Sequence, residues 1–265
     1  MTSLAARGAP PLSVRAAAPL VLAVLLVLTA IAYPLTSGGA RDAVSWTIVV
    51  LGAALSVVHA AAGHGLRTAA AVTALVGGTA VAFEAVGLAT GVPYGSYTYS
   101  EALGPTLLGV PLLVPLAWLM MAWPSWVVAG LLASRTVPRV LVATALFAGW
   151  DVVLDPQMVQ AGYWTWAHPT PGLPGIATVP LTNLAGWLLA GGVLMTLLDR
   201  LVTRTVVADA PRVGPAAPLL ALGWMTLGGA LAHAGWLGLP GSAAWGAALF
   251  LPVFALLAAR RWRTR

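Results

Sequence analysis

Eight stretches of this chain are long and apolar enough to cross a lipid bilayer, and they constrain the fold more than any other feature. A spanning helix needs about 20 apolar residues. The stretches are 16–35, 43–62, 68–90, 107–133, 138–157, 176–198, 216–237 and 242–259. Only 8% of the 265 residues are charged, too few for a water-soluble globule. The sequence therefore predicts an all-α, polytopic transmembrane bundle of about eight helices, with residues 1–265 as a single domain.

The arginines predict how this bundle is oriented. All 13 basic residues are arginine, and basic residues concentrate in cytoplasmic loops. With the N-terminus inside and eight spans, only Arg41 falls outside, and the outer loops 91–106 and 158–175 hold no basic residue. The inner arginines are Arg7, Arg15, Arg67, Arg135, Arg139, Arg200, Arg204, Arg212, Arg260, Arg261, Arg263 and Arg265. We expect a cell-membrane protein with both termini cytoplasmic, and this arrangement accounts for the net charge of +6 without a nucleic-acid partner.

Two spans leave alternatives open. The first has an arginine-bearing start, an apolar stretch and an Ala-Ile-Ala step at residues 30–32, which also resembles a cleavable signal peptide. Its removal would leave the orientation of the other spans unchanged. The fourth contains Pro111, Pro115 and Pro124. Because proline breaks helical hydrogen bonding, we expect a kink there or a re-entrant start.

An internal repeat occupies the middle of the chain. A shift of 67 residues aligns two Gly-x-aromatic-Thr-aromatic strings, at 95–99 and 162–166. The other aligned pairs are Glu84 with Asp151 and, after a two-residue insertion, Val110-Pro111 with Val179-Pro180 and Trp118 with Trp187. The units, about 68–133 and 135–198, have the same orientation. They predict a pseudo-two-fold axis along the membrane normal.

The chain has seven carboxylates, and four of them are the strongest candidates for chemistry. Asp42, Asp199 and Asp209 are predicted to lie in solvated loops, which leaves the inner half of the bundle without intramembrane charge. The other four are Glu84, Glu101, Asp151 and Asp155. Glu84 lies within the third span, and the two aspartates lie in the outer half of the fifth. Ionisable groups at such depths are costly and usually face the bundle interior in a functional role.

Asp151 and Asp155 are four residues apart and therefore share a helix face. Two close carboxylates in a poor dielectric cannot both ionise easily, so one would keep a proton and could act as a general acid. A structural role is the alternative, with hydrogen bonds to Asn183, Thr182 or the backbone. Asp155 precedes a proline and could simply end its helix.

Aromatic residues crowd the two outer loops beside these acids. They are Tyr94, Tyr97, Tyr99, Tyr163, Trp164 and Trp166. Singly, each is typical of an interfacial belt; as a set they could line a cavity and stabilise a carbocation by cation–π attraction. Trp118 and Trp187, inside helices, would pack or form cavity wall.

No metal or cofactor is expected. His59, His64, His168 and His233 form no H-x-x-x-H cluster, so a di-iron site is disfavoured. No G-x-G-x-x-G opens a helix, and the Asp151/Asp155 pair lacks the second acidic motif of a magnesium-dependent prenyl transferase. Cysteine is absent, which excludes thiolate chemistry.

Several of these motifs together resemble the membrane family of carotenoid biosynthesis proteins over about residues 80–190. They are Phe83-Glu84, Gly91-Val92-Pro93-Tyr94-Gly95-x-Tyr97-x-Tyr99, Trp150-Asp151-x-x-x-Asp155-Pro156, Gly162-Tyr163-Trp164-x-Trp166 and Pro180-Leu181-Thr182-Asn183-x-x-Gly186-Trp187. Characterised members of the family are carotenoid 1′,2′-hydratases, including those acting on C50 bacterioruberin precursors. The resemblance implies cofactor-free addition of water to the terminal C=C of a linear carotenoid.

The resemblance and the residues agree on a hydratase. The chemistry needs a proton donor, a cavity that stabilises a tertiary cation, and a base that positions water. We predict Asp151, Glu84 and Asp155 as catalytic, one of Asp151 and Glu84 being the acid and the other orienting water. The predicted substrate-binding residues are Tyr94, Tyr97, Tyr99, Trp164, Trp166, Asn183 and Trp187. The expected partners are the bilayer and its linear C40 or C50 carotenoid, with other carotenoid-pathway enzymes as candidates.

Two other functions fit the same features. A membrane lycopene-type cyclase also begins by protonating an isoprenoid double bond, but an internal alkene then traps the cation. A small transporter could use parallel repeats and intramembrane acids. An inner half without charge argues against a path that connects both sides.

Overall fold

The protein was analysed as a computed structural model, which describes residues 14–205 and 213–263. Within these ranges the α-helices are α1 (Val14–Ala32), α2 (Gly38–His64), α3 (Leu66–Thr90), α4 (Leu113–Leu132), α5 (Thr136–Gln160), α6 (Leu181–Arg204), α7 (Ala216–Gly223), α8 (Gly229–Ala232) and α9 (Pro240–Arg263). The strands are β1 (Tyr97–Tyr99), β2 (Thr106–Leu107), β3 (Val110–Pro111) and β4 (Trp164–Trp166).

Eight helices in the described ranges are long and apolar enough to cross a membrane. The seventh, Ala216–Leu237, combines α7 and α8 with two π-helical turns, Trp224–Gly228 and His233–Leu237. The predicted all-α bundle of about eight spans is confirmed, and the chain is a multi-pass membrane protein. The assignments of Arg7, Asp209, Arg212 and Arg265 lie outside the described residues.

The helices α4 and α5 form the centre of the bundle. In their apolar windows 61% and 56% of residues are buried, against 22% in the first and last spans. Helix α4 packs against α2, α3 and α5, while α5 packs against α6 and α9. The outermost helices therefore present apolar side chains to the hydrocarbon, as a membrane bundle requires.

Prolines shape the fourth and fifth spans differently from prediction. The predicted start of the fourth span at residue 107 is wrong, because β2 and β3 form a hairpin and α4 begins only at Leu113. Pro115 falls in the first turn, where the missing N–H costs no helical hydrogen bond. Pro156 lies inside α5, which continues to Gln160. Asp155 therefore does not end its helix.

A buried ion pair lies in the half of the bundle away from the loops 91–106 and 158–175, and it corrects the prediction that this half is free of charge. Asp199 lies within α6 and is 1% exposed. Arg139 of α5 donates from Nε and Nη2 to its two carboxylate oxygens at 2.5 and 3.0 Å, and Trp126 Nε1 donates at 3.0 Å. The prediction that Asp199 lies in a loop is wrong because α6 extends six residues beyond the predicted end of the span.

The two outer loops are joined by strand pairing. Strands β1 and β4 are antiparallel, with Thr98 opposite Thr165 at the centre of the ribbon. Asp42, predicted in a loop, lies in the second turn of α2 and accepts a hydrogen bond from the Tyr163 hydroxyl at 2.7 Å. These contacts hold the loops 91–106 and 158–175 together at one end of the bundle.

This pairing is compatible with the repeat, which stays a prediction. A two-fold axis through the central threonine pair would exchange Tyr97 with Trp164 and Tyr99 with Trp166, the equivalences that the 67-residue shift gives. Outside the ribbon, each unit also has a hydrogen bond from the start of its second helix back to a proline in the preceding loop. Leu112 N donates to Pro105 O in the first unit, and Leu181 N donates to Pro171 O in the second. Superposition of 68–125 on 135–194 should therefore require a rotation about an axis near the membrane normal.

Membrane sidedness also stays a prediction. A reporter fused after Ser134, between α4 and α5, should give a cytoplasmic signal, and one at His168 should give an external signal. Fusions after residues 210 and 265, outside the described ranges, should also read cytoplasmic because of the flanking arginines. A cytoplasmic signal at His168 would contradict the orientation.

Candidate active site

A largely apolar cavity of about 910 Å³, a volume that includes its open mouth, lies at the end of the bundle that carries the loops 91–106 and 158–175. Its walls come from α2 to α6, the outer loops and the turn at Tyr33 that follows α1. Most of its lining is aromatic or aliphatic, and Glu84 and Asp155 bring carboxyl groups into it. Each of these two carboxylates is 3% exposed. The cavity is therefore an apolar pocket with two buried carboxyl groups in its wall, the combination of features that marks a candidate binding site.

Glu84 is held by two phenols from one strand. It lies two turns before the end of α3 and accepts hydrogen bonds at Oε2 from the Tyr97 hydroxyl at 2.5 Å and the Tyr99 hydroxyl at 2.8 Å. Both tyrosines can reach it because residues two apart on a strand face the same side. Burial, and then the charge of Glu84, raise the pKa of the Tyr97 hydroxyl well above its usual range. Tyr97 therefore stays a hydrogen-bond donor.

The two aspartates of α5 meet at one amide. Asn183, in the first turn of α6, donates from Nδ2 to Asp151 Oδ2 at 2.8 Å and to Asp155 Oδ2 at 2.5 Å. All three side chains are at most 3% exposed. Spacing of four residues on a helix brings the carboxyls to one face, and the start of α6 supplies the shared donor.

Asp155, rather than Asp151, reaches the pocket. Asp151 lines a separate cavity of about 260 Å³ on the other side of Asn183, and its Oδ1 has no hydrogen-bond partner. The prediction that Glu84 and Asp151 share one cavity is therefore wrong, because the two residues line different cavities. Asp151 is connected to the pocket through Asn183 and Asp155.

The predicted aromatic residues all surround the pocket. Tyr97 packs near Trp166 and Tyr99 near Trp164, with ring centroids 6.0 and 5.7 Å apart. Trp166 Nε1 donates to Tyr94 O at 3.1 Å. The Tyr94 hydroxyl is buried without a hydrogen-bond partner.

Close packing below these rings depends on a glycine. Trp187 and Trp118 lie with ring centroids 5.0 Å apart at the floor of the pocket. A Cβ on Gly186 would meet the Tyr94 ring at 2.5 Å. The glycine of the Gly186-Trp187 motif therefore lets α6 approach the loop that carries Tyr94.

Sequence reasoning missed three polar residues of the pocket, Tyr33, Ser45 and Gln157. Gln157 could have been predicted, because a polar residue inside an apolar span usually faces the bundle interior, as a carboxylate does. Tyr33 could not, since a tyrosine at the end of a span is typical of the membrane interface.

The described residues contain no group of three His, Cys, Asp or Glu side chains placed to hold one metal ion. His59 accepts a hydrogen bond from Trp123 Nε1 at 3.1 Å. His233 is buried in the seventh span. His168, in the outer loop, is not among the residues lining the pocket.

The fold and this pocket define a class of protein: a helical membrane protein with buried acids around an apolar cavity. Residues 44–252 match the family described as carotenoid biosynthesis protein. The chain belongs to this family, and the resemblance seen in its motifs is confirmed.

One curated relative is the bisanhydrobacterioruberin hydratase of Haloarcula japonica, which is 39% identical over 121 residues. The aligned stretch is 44% of this chain and 40% of that protein, so the chain spans about two fifths of its relative's length. No solved structure matches the chain.

Proposed function

We propose that the protein is a carotenoid hydratase, which adds water to the terminal C1′=C2′ double bond of a linear C40 or C50 carotenoid. The observation that carries the proposal is the meeting of Glu84 and Asp155 in one buried, aromatic-walled pocket. The family and the name of the curated relative support the same activity. A substrate this apolar resides in the bilayer, which gives a reason for a catalyst built from spanning helices.

The proposed reaction begins at the aspartate pair. Asp151 and Asp155 share one neutral donor, so two negative charges there would lie side by side in a poor dielectric. One proton held between them relieves that repulsion and supplies the general acid. Transfer of this proton to C2′ leaves a tertiary cation at C1′ and a carboxylate as its counter-ion.

The remaining groups complete the addition. Tyr97, Tyr99, Trp164 and Trp166 surround the cation with aromatic faces, which attract positive charge. Glu84, whose two phenol donors stabilise its ionised form, takes the proton that water loses as its oxygen bonds to C1′. The product is a tertiary alcohol, and the steps use side chains and water alone.

The test is expression in a cell that accumulates lycopene or a C50 precursor, followed by mass analysis of the extracted pigments. A hydratase yields pigment heavier by one water. A cyclase yields an isomer of unchanged mass, which would overturn the proposal, as would unaltered pigment in cells where the protein is present in the membrane.

The aromatic wall gives a graded prediction. Trp164→Ala should slow alcohol formation by roughly 30-fold, because a desolvated cation–π contact contributes about 2 kcal/mol. Trp164→Phe keeps a π face and should cost only a few-fold. The matched control is Trp236→Ala, since Trp236 is 61% exposed and outside the pocket. Equal rates for Trp164→Ala and the control would contradict a role for this ring.

A further inference from the structure

A second polar cluster lies in the wall of the same pocket and is separate from the acids. It consists of Tyr33, in the turn after α1, and Gln157 of α5. Both also line an adjoining cavity of about 510 Å³, so they lie where the two spaces meet. Tyr33 is 5% exposed, and its hydroxyl, although close to Gln157, has no hydrogen-bond partner.

The side chain of Gln157 is held by a chain of two buried residues, in which His233 contacts Gln157 and Ser242 contacts His233. His233 Nε2 lies 2.9 Å from Gln157 Oε1, and His233 Nδ1 lies 2.6 Å from Ser242 Oγ. Because Oε1 only accepts, Nε2 carries the hydrogen and Nδ1 accepts from the serine hydroxyl. His233 and Ser242 are 0% and 1% exposed. This relay fixes the amide and leaves its nitrogen available to donate.

The cluster is on the other flank of α5 from the acid. Successive helix residues turn by about 100°, so Asp155 and Gln157 fall on opposite sides of the row formed by Trp150 and Leu154. All four residues line the pocket. A ligand held by Gln157 would therefore approach the pocket from a different direction than the proton.

The chemistry of the cluster selects its ligand. A buried hydroxyl without a partner is destabilising, and such groups in native proteins usually bind a ligand or water. Tyr33 and Gln157 are neutral, and between them they can donate and accept hydrogen bonds. That combination suits a small neutral oxygen compound such as water. The nearest cation among the described residues is Arg41, whose guanidinium carbon lies over the Tyr33 ring, 5.2 Å from its centroid, and is not part of the pocket lining.

We propose that Tyr33 and Gln157 bind the water molecule that attacks the carbocation, with His233 and Ser242 as positioning residues. The inference rests on the proposed hydratase function. Water's lone pair forms the C–O bond at C1′, and its surplus proton passes to a carboxylate. Without positioned water, the cation instead returns a proton from a neighbouring carbon to the carboxylate, giving an alkene of the original mass.

The test measures the ratio in which the cation forms alkene, by losing a proton, and alcohol, by adding water. Wild type and the variants Gln157→Met and Tyr33→Phe are incubated with carotenoid in D2O, and alcohol and deuterated alkene are quantified by mass. Loss of one hydrogen bond to water should raise the alkene-to-alcohol ratio about tenfold. Ser242→Ala, which only loosens the relay, should raise it less. The control Gln160→Met removes a surface bond to Leu237 O on the same helix and should leave the ratio unchanged.

Each other outcome is decisive. A parallel fall of alcohol and deuterated alkene in both variants means a structural role and overturns the water site, as does an unchanged ratio. Weaker inhibition by added alcohol product, with an unchanged ratio, means that the cluster binds the product hydroxyl instead, and this also overturns it. Wild type that forms neither alcohol nor deuterated alkene means that the proposed function itself has failed.

Discussion

Glu84→Gln and Asp155→Asn should each lower the rate of alcohol formation by about 10²- to 10⁴-fold, the usual contribution of a general acid or base. The amides keep the shape of the carboxyl groups but cannot exchange a proton. In the Glu84→Gln variant the amide carbonyl can still accept from the phenols of Tyr97 and Tyr99, so the pocket should stay intact. Asp151→Asn should also lose activity, because Asp155 would no longer have a carboxyl to share its proton.

Turnover in detergent or lipid, measured beside thermal unfolding, separates chemistry from folding. The control is Glu101→Gln, which changes an exposed carboxylate in the outer loop. A Glu84→Gln, Asp155→Asn double variant with full activity would end the acid–base proposal. It would leave Asp151 as the one remaining carboxylate of the cluster, with no partner to divide the two roles.

The second large effect concerns stability. Asp199→Ala should destabilise the fold by about 3 kcal/mol or more, since removal of one partner leaves a buried charge uncompensated. Arg139 would lose two hydrogen bonds, and Trp126 would lose one. Thermal unfolding in detergent measures the loss.

Two further variants sharpen this stability test. Arg200→Ala, one residue along α6 and exposed, is the control and should be near neutral. Adding Arg139→Ala to Asp199→Ala should restore part of the lost stability, because the unpaired charge disappears. An Asp199→Ala protein as stable as the control would show that the ion pair is not needed.

Hydrophobic length predicted the spans well because a bilayer imposes the same requirement on every helix. It failed at the ends. The hairpin before Leu113 is as apolar as the helix that follows, and α6 extends past an aspartate that composition alone assigns to a loop. Asp199 is tolerated there because Arg139 reaches it from another helix, a contact between residues 60 apart that no local pattern reveals.

The aspartate pair of α5 also depends on a contact with another helix that local sequence does not reveal. Spacing places Asp151 and Asp155 on one helix face, but which of them meets the cavity depends on where α6 brings Asn183. The aromatic residues of the outer loops were predicted as a set because both strings share an uncommon pattern. Gln157 and Tyr33 were missed, since their significance lies in a meeting of the first, fifth, seventh and last spans.

The pocket lies among helices that face hydrocarbon, so the relevant concentration of an apolar ligand is its concentration in the membrane. If the proposed function holds, a carotenoid reaches this pocket by diffusing within the two-dimensional bilayer. Occupancy of the pocket then follows the number of pigment molecules per lipid and not the number per litre. Added buffer leaves that ratio alone, whereas added vesicles lower it at constant total pigment. For the proposed hydratase, the degree of saturation would therefore be set by the pigment content of its membrane.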